Sequence, residues 1–146
     1  MKLVVRSVRK INQKYIQSIV KKALIEDLNP LGDITTKLII NNKKAKAKII
    51  AKQNGIIAGL DFCKSAFKLI GKETIFRPKV RDGNYIRRNR TIAEVFAKTR
   101  TILIAERTAL NFLSHASGIA TTTNIFVKKV GKKTKICCTR KTTPNL

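Results

Sequence analysis

Residues 101–130 read TILIAERTALNFLSHASGIATTTNIFVKKV, and the reading of this stretch divides the chain. Apolar positions recur at three- and four-residue steps, through Ala105, Ala109, Phe112, Ala116, Ile119, Thr123 and Phe126. That spacing predicts one long amphipathic helix. Glu106 near its start and Lys128 and Lys129 near its end suit the helix dipole, and Gly131 is a natural C-cap. Gly118 is the exception, costing about 1 kcal/mol against alanine inside a helix. Close packing at that point, or a break in the helix, would account for it.

Upstream the pattern changes. Ile16, Ile19, Val20, Ala23 and Leu24 form a helical stripe from Asn12, a plausible N-cap, to about Ile25. Pro30 and Gly32 break it. Residues 45–52 alternate at period two, with Ala45, Ala47, Ile49 and Ala51 on one face and mostly lysines on the other. This predicts a strand of an antiparallel sheet with one wet face. A glycine-fenced apolar run follows at 55–59, and then a shorter helix over 61–70 ended by Gly71. Short strands are expected at 74–76 and 91–97, with the turn Asp82-Gly83-Asn84 between them.

Downstream of the long helix, Ile136-Cys137-Cys138 reads as one more strand, and Thr139, Arg140, Lys141 and Thr142 stand at its C-terminal end. Open α/β sheets and α/β barrels place ligand-binding groups there. Two adjacent cations repel each other, so an anion is expected to offset them.

The chain has 146 residues, 43% hydrophobic, enough for one ordinary domain or a small domain and the start of another. Its formal net charge of +24 predicts attraction to polyanions. The cations are mostly lysines spread along the whole length, beside many isoleucines and asparagines, as A/T-rich codons produce. Local clusters occur at residues 43–52, at Arg87, Arg88 and Arg90, and at 128–135. No apolar stretch has the length of a signal peptide core or a membrane span, so a cytoplasmic protein is expected. Cys63, Cys137 and Cys138 form no CxxC pair, which argues against structural zinc; they read as buried small apolar residues.

Few residues stand out for chemistry. His115, the lone histidine, reads as a structural side chain on the long helix. Asp33, Thr35 and Thr36 suit a cap or a phosphate-binding turn. Glu26-Asp27 is the one adjacent acidic pair. Arg107 has two readings: a local ion pair with Glu106, or a fork that grips a carboxylate or phosphate.

Several blocks resemble the quinolinate phosphoribosyltransferase family, also called carboxylating nicotinate-nucleotide pyrophosphorylase. They are Glu26-Asp27-Leu28 with Gly32-Asp33-Ile34-Thr35-Thr36, the 55–59 run, ERTALNFL at 106–113 running into SGIAT at 117–121, and TRKTTP at 139–144. The resemblance implies an α+β N-terminal open-sheet domain, residues 1–110, followed by the start of an α/β barrel, residues 111–146, that ends after its first strand. It implies transfer of a phosphoribosyl group from phosphoribosyl pyrophosphate to quinolinate, giving nicotinate mononucleotide, pyrophosphate and CO2, with Mg²⁺ accompanying the pyrophosphate. It also implies a homodimer or higher homo-oligomer, in which Arg107 enters the partner's active site while Thr139, Arg140 and Lys141 line the quinolinate pocket. A dicarboxylate suits such forked and point-charge cations.

The sequence departs from the family at Asn145, where glycine is usual after the proline, and at Cys138, where aspartate is common. A chain ending here lacks the rest of a barrel, so it is expected to be truncated and inactive alone, with part of the long helix's apolar stripe uncovered. A related pyrophosphorylase acting on another ring would share these features. A basic nucleic-acid-binding protein is a further alternative, but no basic helix or finger motif appears, so nucleic acid is not an expected partner.

Overall fold

The computed structural model describes residues 11–30, 32, 36, 41, 43–131 and 134–137. The described elements run α1 (Gln13–Leu28), β1 (Lys44–Ile50), β2 (Gly55–Ile56), α2 (Leu60–Ile70), β3 (Ile75–Pro78), β4 (Tyr85–Ile86), β5 (Thr91–Lys98) and α3 (Thr99–Val130).

Period-two alternation produces the sheet. β5 lies between β1 and β3, antiparallel to both, with Ala47 opposite Val95, Ile49 opposite Ala93 and Phe76 opposite Val95. Ile49, Phe76, Ala93 and Val95 are buried on one face, while Lys44, Lys46 and Lys48 are exposed on the other. The buried face packs on α2, where the Phe67 and Phe76 rings lie 6.3 Å apart. β3 is an edge strand, which accommodates Pro78 at its end. β2 and β4 form a separate antiparallel ribbon. This is the open-sheet α+β domain expected from the sequence.

The helices cover the inner side. Asn12 caps α1, its Oδ1 accepting from the Lys14 N–H at 2.8 Å, and Ile16, Val20 and Leu24 are buried at helical spacing. α2 is capped from a distance: the Asp82 carboxylate accepts from the Gly59 and Leu60 N–H groups at 3.1 and 3.2 Å. Gly59 holds φ +96°, and a Cβ there would lie 3.2 Å from the Phe112 carbonyl oxygen. α3 leaves β5 with no intervening loop, two residues before the expected start. The Thr99 N–H and hydroxyl both donate to the Lys43 carbonyl there, at 2.8 and 2.9 Å.

Three expectations need correction. α3 continues unbroken through Gly118, and a Cβ at that position would meet nothing within 4 Å, so neither a break nor close packing explains the glycine. Of the strand expected at 136–138, the described residues Ile136 and Cys137 form none, because a strand is made by pairing and no described strand runs beside them. Cys137 is exposed rather than buried; Cys63 is buried as expected. Cys138 and residues 139–146 lie outside the described residues. The expected domain line at 110/111 falls within α3, whose buried residues are Ala105, Thr108, Ala109 and Leu113. Beyond them Ile119, Ile125, Phe126, Val127 and Val130 are exposed, the uncovered stripe the sequence led us to expect.

Candidate anion-binding site at Arg107

Arg107 stands on the outer side of α3, its side chain 75% exposed. Its Nη1 donates to Asp27 Oδ1 at 3.0 Å, joining α3 to α1 across 80 residues of sequence. The local pair with Glu106, one of its two sequence readings, does not form: adjacent helical residues point in different directions and do not face each other. Asp27 binds on one side, and no other hydrogen bond or ion pair engages the guanidinium among the described residues. The remaining donors of a rigid fork are therefore free to take a carboxylate or phosphate.

Asp27 of this pair lines an open groove of about 860 Å³ between α1 and α3, together with Glu26, Thr108, Asn111, Phe112 and His115, among others. His115 is exposed there, and so is not the packed structural histidine the sequence suggested. Phe112 forms the groove's apolar floor, stacked on Phe62 at 5.3 Å between centroids. One carboxylate, that of Asp27, holds Arg107 without saturating it.

The SGIAT block has a different role from that of a ligand site. Ser117 Oγ accepts from the Ala58 N–H at 3.0 Å and donates to the Ala58 carbonyl at 3.2 Å. One turn on, Thr121 Oγ1 accepts from the Ile56 N–H at 2.8 Å. These i, i+4 hydroxyls therefore fasten α3 to the glycine-fenced run, and Gly55 allows the approach, since a Cβ there would lie 2.7 Å from Thr121 Oγ1. Neither this clamp nor the Asp82 cap was found in the sequence. The only signal for the clamp was two hydroxyl residues four apart on a predicted helix.

Of the other candidates, Thr36 is buried, while Asp33 and Thr35 lie outside the described residues, as do Thr139, Arg140 and Lys141. No three His, Cys, Asp or Glu side chains come together as a metal cage among the described residues. No helix among them is long and apolar enough to cross a membrane.

An open antiparallel sheet backed by helices, with a partly engaged arginine on the long helix, defines an α+β domain. A family model described as quinolinate phosphoribosyl transferase, N-terminal domain, matches residues 33–117, more than half of the chain. The chain belongs to the quinolinate phosphoribosyl transferase family. A probable carboxylating nicotinate-nucleotide pyrophosphorylase of Methanocaldococcus jannaschii is 45% identical over 136 residues, which cover 90% of this chain and 46% of that protein. The corresponding Bacillus subtilis protein is 33% identical, with 92% and 47% covered. Among solved structures, NadC from Streptococcus pyogenes superposes with a TM-score of 0.86 at 34% identity, over 92% of this chain and 49% of that one. The chain spans about half the length of the relatives it matches.

Proposed function

We propose that this chain provides the N-terminal half of a carboxylating nicotinate-nucleotide pyrophosphorylase. Such an enzyme joins quinolinate to phosphoribosyl pyrophosphate, releasing pyrophosphate and CO2 and forming nicotinate mononucleotide. The observation that carries the proposal is Arg107, three-quarters exposed and held on one side by Asp27, in a chain of this family. Arg107 would grip an anionic group of the substrate, in a partner subunit's site if the protein assembles as a homo-oligomer. Thr139, Arg140 and Lys141 would form the wall of the quinolinate pocket. Cations placed in advance would hold the dicarboxylate and so position its ring nitrogen against the sugar, which suits a transfer that needs no protein nucleophile.

Mg²⁺ needs only one or two carboxylates when it arrives on a substrate's phosphates, and the described residues provide no dedicated cage for it. When bound, it would offset the charge of the departing pyrophosphate. In this chain, that leaves Arg107 to orient substrate and Asp27 to hold Arg107.

The test joins this chain to the second half of the Methanocaldococcus jannaschii relative and follows nicotinate mononucleotide and CO2. We expect quinolinate-dependent turnover that falls roughly 10²-fold in Arg107→Ala, the loss seen when one preorganised charge-stabilising donor is removed. The chain alone is expected to match the no-protein background. A folded chimera that acts on a different ring, or whose turnover ignores Arg107→Ala, refutes the proposal.

A further inference from the structure

Arg87, Arg88 and Arg90 already cluster in sequence, and the fold brings them against cations from other segments. Lys48 from β1, Lys79 after β3, and Arg87, Arg88 and Arg90 from the β4–β5 turn line one open groove of 910 Å³, together with Tyr85. Glu94 is the one carboxylate in that lining, and it is already shared by Lys46 at 2.7 Å and Lys79 at 3.1 Å. Arg87, Arg88 and Arg90 are exposed and have no carboxylate partner among the described residues.

The turn that presents them is anchored rather than loose. The Arg88 N–H donates to Asn54 Oδ1 at 2.8 Å and the Asn89 N–H to the Ala51 carbonyl at 2.7 Å. The Ala51 N–H donates in return to the Arg90 carbonyl at 2.9 Å. Asn89 takes the left-handed conformation, φ +64°, that the turn requires. Three like charges are thus held together by backbone bonds, with their mutual repulsion unrelieved inside the protein.

The groove opens onto the outer face of the sheet. Lys44, Lys46 and Lys48 repeat along that face every second residue, about 6.8 Å apart. Arg77 and Lys46 both lie against the Phe96 ring, at 5.0 and 5.2 Å from its centroid. A row of evenly spaced cations leading into a cluster of arginine forks matches a ligand with repeating negative charge better than one small anion. Tyr85, 56% exposed at the groove, adds a flat ring on which a base can stack.

We propose that this groove and the lysine face beside it bind the phosphodiester backbone of single-stranded nucleic acid. The surface is separate from the Arg107 groove and shares no lining residue with it. Binding releases counterions from the strand, so affinity falls steeply with salt, with a log–log slope of about −0.7 per phosphate neutralised.

The experiment measures fluorescence anisotropy of a labelled 12-nucleotide single strand (about the upper range of one small-domain site) with the whole chain, across a salt series. Arg87→Gln/Arg88→Gln/Arg90→Gln is compared with Lys21→Gln/Lys22→Gln/Lys64→Gln, which removes the same charge from exposed positions on α1 and α2. We expect the arginine variant to bind about tenfold more weakly or worse, with the salt slope shallower by about 2. The lysine variant should change affinity less than twofold, and Tyr85→Ala should weaken binding without altering the slope. Circular dichroism establishes that each variant is folded, and Arg→Lys at the three positions should keep most of the slope. Equal weakening in both charge variants would show a net-charge effect and overturn the proposal. So would absence of binding at 50 mM salt, or binding to anionic lipid vesicles but not to the oligonucleotide.

Discussion

Removing the two hydroxyls that fasten α3 to the ribbon isolates the SGIAT block's structural role. Thr121→Val keeps the shape of the side chain and removes only the acceptor of the Ile56 N–H, now at 2.8 Å. Ser117→Ala removes both an acceptor and a donor to Ala58. A hydrogen bond contributes about 1 kcal/mol net, and a backbone group left without a partner costs about 1–3 kcal/mol when fully dry. Ile56 and Ala58 are only half-buried, so water softens the penalty. We expect about 1 kcal/mol for Thr121→Val and about 1.5 kcal/mol for Ser117→Ala, or roughly 3–5 °C in Tm each. The double variant should lose somewhat less than both together, because both bonds hold the same short segment.

Urea unfolding reads the stability loss at unchanged m-value, and amide exchange reads protection at Ile56 and Ala58. Gly55→Ala supplies an independent check. Its Cβ would lie 2.7 Å from Thr121 Oγ1, so it should destabilise the wild type by about 1–3 kcal/mol and the Thr121→Ala background by clearly less. Losses below about 0.3 kcal/mol in both hydroxyl variants, with Ile56 still protected, would refute the clamp.

Gly59→Ala should cost about 1–3 kcal/mol in thermal unfolding, because a side chain is strained at φ +96° and would press on the Phe112 carbonyl. Glu94 is held down to about 2 from the usual 4.5 by hydrogen bonds from Lys46 and then Lys79. Its folded value is depressed, so its contribution is complete above about pH 4.5 and is lost as pH falls towards 2; Glu94→Gln should flatten that part of the stability profile. Burial pushes the Cys63 thiol up to about 12, so maleimide at pH 7.5 should label Cys137 and reach Cys63 only in denaturant, as peptide mass spectrometry would show. Rapid native labelling of Cys63 would contradict the packing of α2.

The parts of the fold that the sequence revealed are those governed by one segment's own pattern. The lysine–alanine alternation of β1, the Asn12 cap and the stripe of α3 each depend on neighbours a few residues away. Gly131 does too: it ends α3 at φ +63°, where a side chain would be strained. The misreadings share another cause. Glu106 is the neighbour of Arg107 in sequence, but the partner of Arg107 is Asp27 on another helix. Ile136-Cys137-Cys138 is as apolar as a strand, but a strand requires a second chain segment beside it, and sequence period does not report one.

The same distinction separates the two basic features of this protein. Counting cations along the chain shows local clusters within a general excess, but not which clusters meet. The pairing of β1 with β5, and beyond it the bonds from Ala51 to Arg90 and from Arg88 to Asn54, bring β1's lysine row against the β4–β5 arginines. These bonds run from backbone or amide to backbone and involve none of the charged groups themselves. The charges are thus gathered by interactions indifferent to charge, so neutralising the arginines should leave the fold intact. Binding to a polyanion can therefore be varied separately from stability, which is not true of Ser117 and Thr121, where the polar groups themselves hold the elements together.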